Sequence, residues 1–169
     1  MTVILGIDPG SRVTGYGVVQ LENKKPSYIA SGVIRLEDES LQQRLVVLHA
    51  GIKQLLGEYQ PSSAAIEKVF VGKSADSALK LGQARGVALL ALAQAEISVD
   101  EYSPRTIKHS VTGSGAADKT QIVDMVVQTL SLSSQPATDA ADALAIALCH
   151  AYSANFQRVL RTQELSAEV

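Results

Sequence analysis

The chain has 169 residues, 46% of them hydrophobic, and a formal net charge of −2 from 15 basic and 17 acidic side chains. That is enough for one domain with a sizeable core, and it excludes a disordered or low-complexity chain. Apolar runs such as Val87 to Ala93 are far short of the roughly 20 residues a membrane-spanning helix needs.

Met1 leads straight into a strand-like segment, with no basic stretch, apolar run and cleavage site ahead of it. A single cysteine, Cys149, can form no internal disulfide. Both features lead us to expect a cytoplasmic protein with no membrane partner. Val3 to Ile7 is a short apolar run closed by Asp8-Pro9-Gly10, a turn signal. Val13 to Leu21 and Tyr28 to Leu36 are β-rich, and Asn23 to Pro26 reads as the hairpin connection between them. Leu41, Leu45, Leu48, Ile52 and Leu55 then recur every three or four residues, the stripe of a helix that Pro61 ends. Ala64 to Glu67 is a short strand, Ala75 to Glu96 a long helix, and Ile97 to Tyr102 a strand closed by Pro104.

Two helices near 119–130 and 139–153 complete the pattern. Residues 1–153 thus form one domain, and 154–169 are expected to be a polar, flexible tail. The order βββ-α-β-α-β-α-α implies an α/β protein, a mixed five-stranded sheet flanked by helices on both faces.

Four carboxylates occupy informative places. Asp8 sits where the first strand turns, and Glu67 closes a later strand, both at chain positions that face the crevice of an α/β sheet. Each also has an ordinary role, as turn former or solvated strand end. Asp139 and Asp142 are three apart at a helix start opened by Pro136 and Thr138, so they share a face. Acids there also complement the helix dipole, with Thr138 as the cap. The small neighbours Ala140, Ala141 and Ala143 let that helix end approach the strand ends. Four carboxylates so placed suit hard cations such as Mg²⁺. Two ions about 4 Å apart would clamp both oxygens of a phosphodiester displacement. His49, His109 and His150 are scattered and form no zinc set, and His49 and His150 read as helix-surface residues. The negative net charge argues weakly against a nucleic-acid partner, but without these four acids 13 remain against 15 lysines and arginines.

Gly6-Ile7-Asp8-Pro9-Gly10, Ala65-Ile66-Glu67 and Asp139-Ala140-Ala141-Asp142-Ala143-Leu144 resemble the RuvC family of Holliday junction resolvases. The stretch from Ala75 to Gly86 resembles the long helix of the same family, and the resemblance runs from about residue 2 to 150. It implies an RNase H-like fold and a homodimer with two active sites. It further implies paired symmetric nicking of four-way DNA junctions with Mg²⁺ or Mn²⁺, and cooperation with the RuvA–RuvB branch-migration motor in recombination and repair. By position, Asp8, Glu67, Asp139 and Asp142 are its metal ligands. Rival readings are an actin-like ATPase or sugar-kinase fragment, a YqgF-type ribonuclease and a catalytically dead junction-binding module. Length argues against the first, the 75–86 match against the second, and the full carboxylate set against the third.

Lys119 follows Asp118, which reads as a helix cap with Gln121 completing a capping box. A lysine there opposes the helix dipole, a cost that a phosphate partner explains. The family places a functional lysine at Lys119 and a DNA-contacting one at Lys108. Phe70 beside Val69 and Val71 reads as core, whereas the resemblance implies an aromatic that stacks on unpaired bases. Lys73, Lys80 and Arg85 form a possible basic track for DNA, and Lys68 carries no motif. Gly113 to Thr120 nearly spells a P-loop, but Asp118 replaces its second glycine and no strand leads into it. A loop whose amides touch the DNA backbone fits better. The apolar helix after Val87 is read as mostly core, with apolar surface left over for an isologous dimer contact.

Overall fold

A computed structural model describes residues 1–37, 40–69 and 74–167, with side chains as far as Ser153. Five strands, β1 (Thr2–Asp8), β2 (Val13–Glu22), β3 (Lys25–Arg35), β4 (Ser63–Glu67) and β5 (Ser98–Tyr102), make one mixed sheet in the order β3-β2-β1-β4-β5. β1 to β3 form an antiparallel meander, and β4 and β5 add in parallel to β1. The β2–β3 hairpin turns on Asn23 and Lys24, both at positive φ (49° and 67°). That is the two-residue turn whose twist suits paired strands, and Asn23 tolerates it well.

Helices cover both faces, as expected. Ile4, Val19 and Ala65 point to α3 (Pro104–Thr112), α4 (Lys119–Leu130) and α5 (Thr138–Ala167). Leu5, Ile7, Val18, Ala64 and Ile66 point to α1 (Leu41–Tyr59) and α2 (Ala75–Gln94). The period of two along each strand feeds two separate cores. Among the described residues no helix is long and apolar enough to cross a membrane.

Three expectations need correction. Pro104 to Thr112 is a helix, capped by Ser103, whose Oγ accepts from the Thr106 N–H at 3.1 Å, and closed by Gly113 at φ 78°. Its nine residues bury only Ile107 and Val111, too short a stripe to stand out in the sequence. Second, α5 runs on to Ala167 where a loose tail from Ala154 was expected. No proline or glycine interrupts that stretch, which is rich in helix formers. Third, His150 is 6% exposed, not on a helix surface. α5 is buried almost all round here, and the imidazole is held by the Tyr102 hydroxyl at 2.9 Å and Ser63 Oγ at 3.1 Å. α2 also differs in degree: its buried stripe is Ala84, Ala88, Ala91 and Leu92, while Leu79 and Leu90 stand 63% and 52% exposed.

Candidate active site

Strand pairing alone brings the first two carboxylates together. β1 and β4 run parallel with Gly6 beside Ala65 and Ile7 beside Ile66. One residue further, Asp8 and Glu67 end these adjacent strands. Alternation puts both side chains on the face of Gly6 and Ala65, which α5 covers. The turn after Asp8 is braced by buried Thr14, whose Oγ1 accepts from the Gly10 N–H at 3.2 Å.

Glycines deliver the second pair. Gly6, Gly15 and Gly17 lie on the same face of β1 and β2, Gly6 opposite Gly17 and Gly15 opposite Asp8. A Cβ at Gly15 would stand 2.0 Å from the Asp139 carbonyl, at Gly6 2.2 Å from that of Ala143, and at Gly17 2.6 Å from the Leu144 nitrogen. The α5 backbone therefore rests directly on the sheet, and no side chain longer than hydrogen fits between them. Ala140, Ala141 and Ala143 complete the close fit, each 2% exposed or less. This contact, between residues over 120 positions apart, sets the first turn of α5 beside Asp8. The helix begins at Thr138, with Ala141 N–H bonded to the Ala137 carbonyl at 2.8 Å, so Thr138 is its first residue, not its cap.

Charge repulsion registers the clustering. Burial pushes the Asp8 carboxyl from 3.8 up to about 7, and the nearby charges of Asp142, Glu67 and Asp139 add to it. Glu67 is also raised, by burial first and then by Asp142. Lys119 lowers both, and Lys108 lowers Glu67. Asp8, Glu67 and Asp142 line a cleft of about 280 Å³ together with Lys108 and Lys119. Lys119 Nζ stands 3.3 Å from Asp142 Oδ2. The expected capping box is present, with Asp118 Oδ1 accepting from Gln121 N–H at 2.9 Å and Gln121 Oε1 from Asp118 N–H at 2.9 Å. It fixes the helix start from which Lys119 reaches the cleft.

Of the remaining basic residues expected at DNA, one shares the cleft. Lys108 enters the cleft because α3, unforeseen in the sequence, turns it inward; the flanking Ser103-Pro104 and Gly113 were the available signals. Lys80 is exposed and pairs with Asp76 at 2.7 Å. Arg85 pairs with Glu101 at 2.6 Å and donates from Nε to the Glu67 carbonyl at 3.4 Å. Phe70 and Lys73 lie outside the described residues. The glycine platform of Gly6, Gly15 and Gly17 was not read from the sequence either, although its alternate spacing on β2 was visible.

The donor set fits a hard cation. Asp8 and Glu67 are raised by burial and by the charges of neighbouring acids, and Lys119, paired with Asp142, partly compensates. Among the described residues no group of three or more acids, histidines or cysteines is close enough together to hold a metal ion as it stands. Oxygen donors of this kind suit Mg²⁺ or Mn²⁺ over zinc.

Comparison with known proteins agrees with this fold. A family model described as Crossover junction endodeoxyribonuclease RuvC matches residues 4–150. The chain is 54% identical over 154 residues to the crossover junction endodeoxyribonuclease RuvC of Psychromonas ingrahamii, covering 91% of this chain and 89% of that one. It is 52% identical over 167 residues to that of Vibrio cholerae, covering 99% and 96%. Among solved structures, T. thermophilus RuvC in complex with a Holliday junction substrate superposes with a TM-score of 0.87 at 33% identity, over 93% of this chain and 97% of that one. The yeast mitochondrial Holliday junction resolvase Ydc2, at 15% identity and a TM-score of 0.62 over 88% and 78%, shares the fold.

Proposed function

The chain belongs to the RuvC family of crossover junction endodeoxyribonucleases, and on that premise we propose that it resolves four-way DNA junctions by paired nicks through this carboxylate site. The fold is α/β and RNase H-like, and we take residues 1–153 as the nuclease unit with 154–169 outside its site. The observation that carries the reading is the side-by-side placement of Asp8 and Glu67, with α5 docked on glycine beside them. We assign Asp8, Glu67, Asp139 and Asp142 as ligands of two Mg²⁺ ions, for which Mn²⁺ substitutes. Such ions, when bound, polarise the scissile phosphate and activate the attacking water.

The protein's own groups do the rest. The Asp8 carboxyl, pushed up to about 7 by burial and by the neighbouring acids, is the donor whose proton a bound cation would displace. Lys119 and Lys108, which line the cleft beside the acids, hold the phosphate and the neighbouring DNA backbone. Lys80 and Lys73 extend the DNA track, and Phe70 stacks on an unpaired base at the junction centre.

A homodimer suits the pairing of nicks. Exposed Leu79 and Leu90 support it, since eleven residues is close to three helical turns and sets both on one stripe of α2. We further place the enzyme in the cytoplasm, downstream of the RuvA–RuvB motor. The test is a cleavage assay with Mg²⁺ on a four-way junction, a linear duplex and an RNA–DNA hybrid. Symmetric nicks in the junction alone are expected; preferential cutting of the hybrid would replace this reading with a ribonuclease.

A further inference from the structure

Behind the carboxylates, on the opposite face of the sheet, lies a charged pair that the chemistry above does not use. Arg85 on α2 sets a guanidinium nitrogen 2.6 Å from Glu101 Oε2, and its Nε donates to the main-chain carbonyl of Glu67 at 3.4 Å. Glu101 is the β5 partner of Ile66, so it points to the α2 face, whereas the Glu67 side chain points to the α5 face. The Arg85 side chain is 19% exposed, against 73% for Lys119 in the cleft. Arg85 thus grips the backbone of Glu67 from the side its carboxylate does not face.

Local chemistry explains why a side chain is used there. The β1–β4 ladder ends at Ile7 and Ile66; Asp8 is the last residue of β1 and Pro9 follows it. Pro9 has no N–H to continue the ladder. On the other edge, Lys68 N–H still bonds the Tyr102 carbonyl at 2.8 Å. The end of β4 therefore stays tied to β5 through Lys68, whereas the Glu67 carbonyl, which Pro9 cannot serve, accepts from the Arg85 guanidinium instead. Glu101 fixes that guanidinium, since a fork-shaped cation paired with a carboxylate has little freedom to swing.

We propose that Arg85, held by Glu101, is a positioning residue that fixes the end of β4 and so the direction of the Glu67 carboxylate, and that it is not a phosphate contact. The inference rests on Glu67 being a metal ligand. Groups that orient a metal ligand typically change metal affinity or activity by about 10–100-fold when removed.

The two partners carry opposite charges, which gives a clean test. Arg85→Gln and Glu101→Gln are each compared with wild type for the Kd of Mn²⁺ by calorimetry, for four-way-junction affinity without metal, and for cleavage rate against Mg²⁺ concentration. Positioning predicts the same sign for both: Mn²⁺ affinity and cleavage fall by about 10-fold or more, and metal-free junction affinity changes less than about 2-fold. A phosphate contact predicts opposite signs, with Arg85→Gln weakening junction binding and Glu101→Gln leaving or tightening it; that result overturns the proposal. If Arg85→Gln melts at a much lower temperature, the outcome is read from Glu101→Gln, and normal Mn²⁺ affinity there also overturns it. Glu67→Gln separates the two levels. Loss of cleavage in Glu67→Gln with normal Arg85 and Glu101 variants defeats this inference alone, whereas full cleavage by Glu67→Gln defeats the site itself.

Discussion

The two faces of the sheet are built on different rules. On the α1–α2 face the strands present Leu5, Ile7, Val18 and Ile66, and the helices answer with Leu48, Ile52 and Leu92, ordinary interdigitated side chains. On the α5 face the strands present Gly6, Gly15 and Gly17, and the helix answers with Ala140, Ala141, Ala143 and Ala147, so backbone meets backbone. The first face supplies hydrophobic burial and tolerates changes of volume at modest cost. The second has its own buried side chains, Ile4 and Val19 among them, but at the glycines it gives up side-chain burial for proximity. Proximity is what brings Asp142 into one cleft with Asp8 and sets Asp139 near it. All four carboxylates belong to that face, or to the end of the helix docked on it.

Glycine substitutions break this comparison most directly. Gly15→Ala places a methyl group 2.0 Å from the Asp139 carbonyl, with backbone on both sides and no flexible atom to yield. α5 must lift, and a displacement of an ångström in reacting groups costs about 100-fold in rate. Cleavage is expected to fall by at least that factor, with a melting temperature several degrees lower. On the other side, a Cβ at Gly57 in α1 meets nothing within 4 Å. Gly57→Ala is expected to stabilise by about 0.5–1 kcal/mol, a gain of a few degrees, and to leave cleavage unchanged. Equal tolerance at both glycines, measured by thermal melts and junction cleavage, would erase the distinction.

A smaller effect sharpens it electrostatically. The native Asp8 carboxyl is pushed up to about 7, so between about pH 4 and 7 the folded metal-free protein holds a proton that the unfolded chain has released. The stability this contributes is complete below about pH 4 and lost as pH rises through 7. His150, whose pKa burial lowers, works in the opposite direction below 6.5. The Asp8 contribution is therefore read as a difference: relative to Asp8→Asn, the metal-free wild type should lose a few degrees of melting temperature between pH 5 and pH 8. An unchanged difference across that range would show that neither burial nor the neighbouring acids raise Asp8.

Much of this was legible in the chain and part was not. Period-two runs and turn signals place Asp8 and Glu67 at strand ends, because strand pattern and Asp-Pro-Gly chemistry are local. The capping box at Asp118 and Gln121 was equally local. α3 was not legible, since two buried residues in nine make no periodic stripe. His150 read as surface because nothing in its neighbourhood announces Tyr102 and Ser63, which lie 48 and 87 residues away. Arg85 read as one more basic residue on a helix; its partners Glu67 and Glu101 come from two different strands. The docking of α5 on glycine is the largest omission. It is a property of two surfaces at once, and single-sequence patterns describe one.

The central claim is that these four acids act as one catalytic centre on junction DNA. Its most direct test compares wild type with Asp8→Asn on one four-way junction, measuring nicking with Mg²⁺ and binding without metal. The account predicts nicking reduced by about 1,000-fold or more, as for loss of a group acting in the transition state, and binding within about 2-fold of wild type. Asp8→Asn nicking at the wild-type rate, or losing binding and cleavage in equal measure, would contradict it.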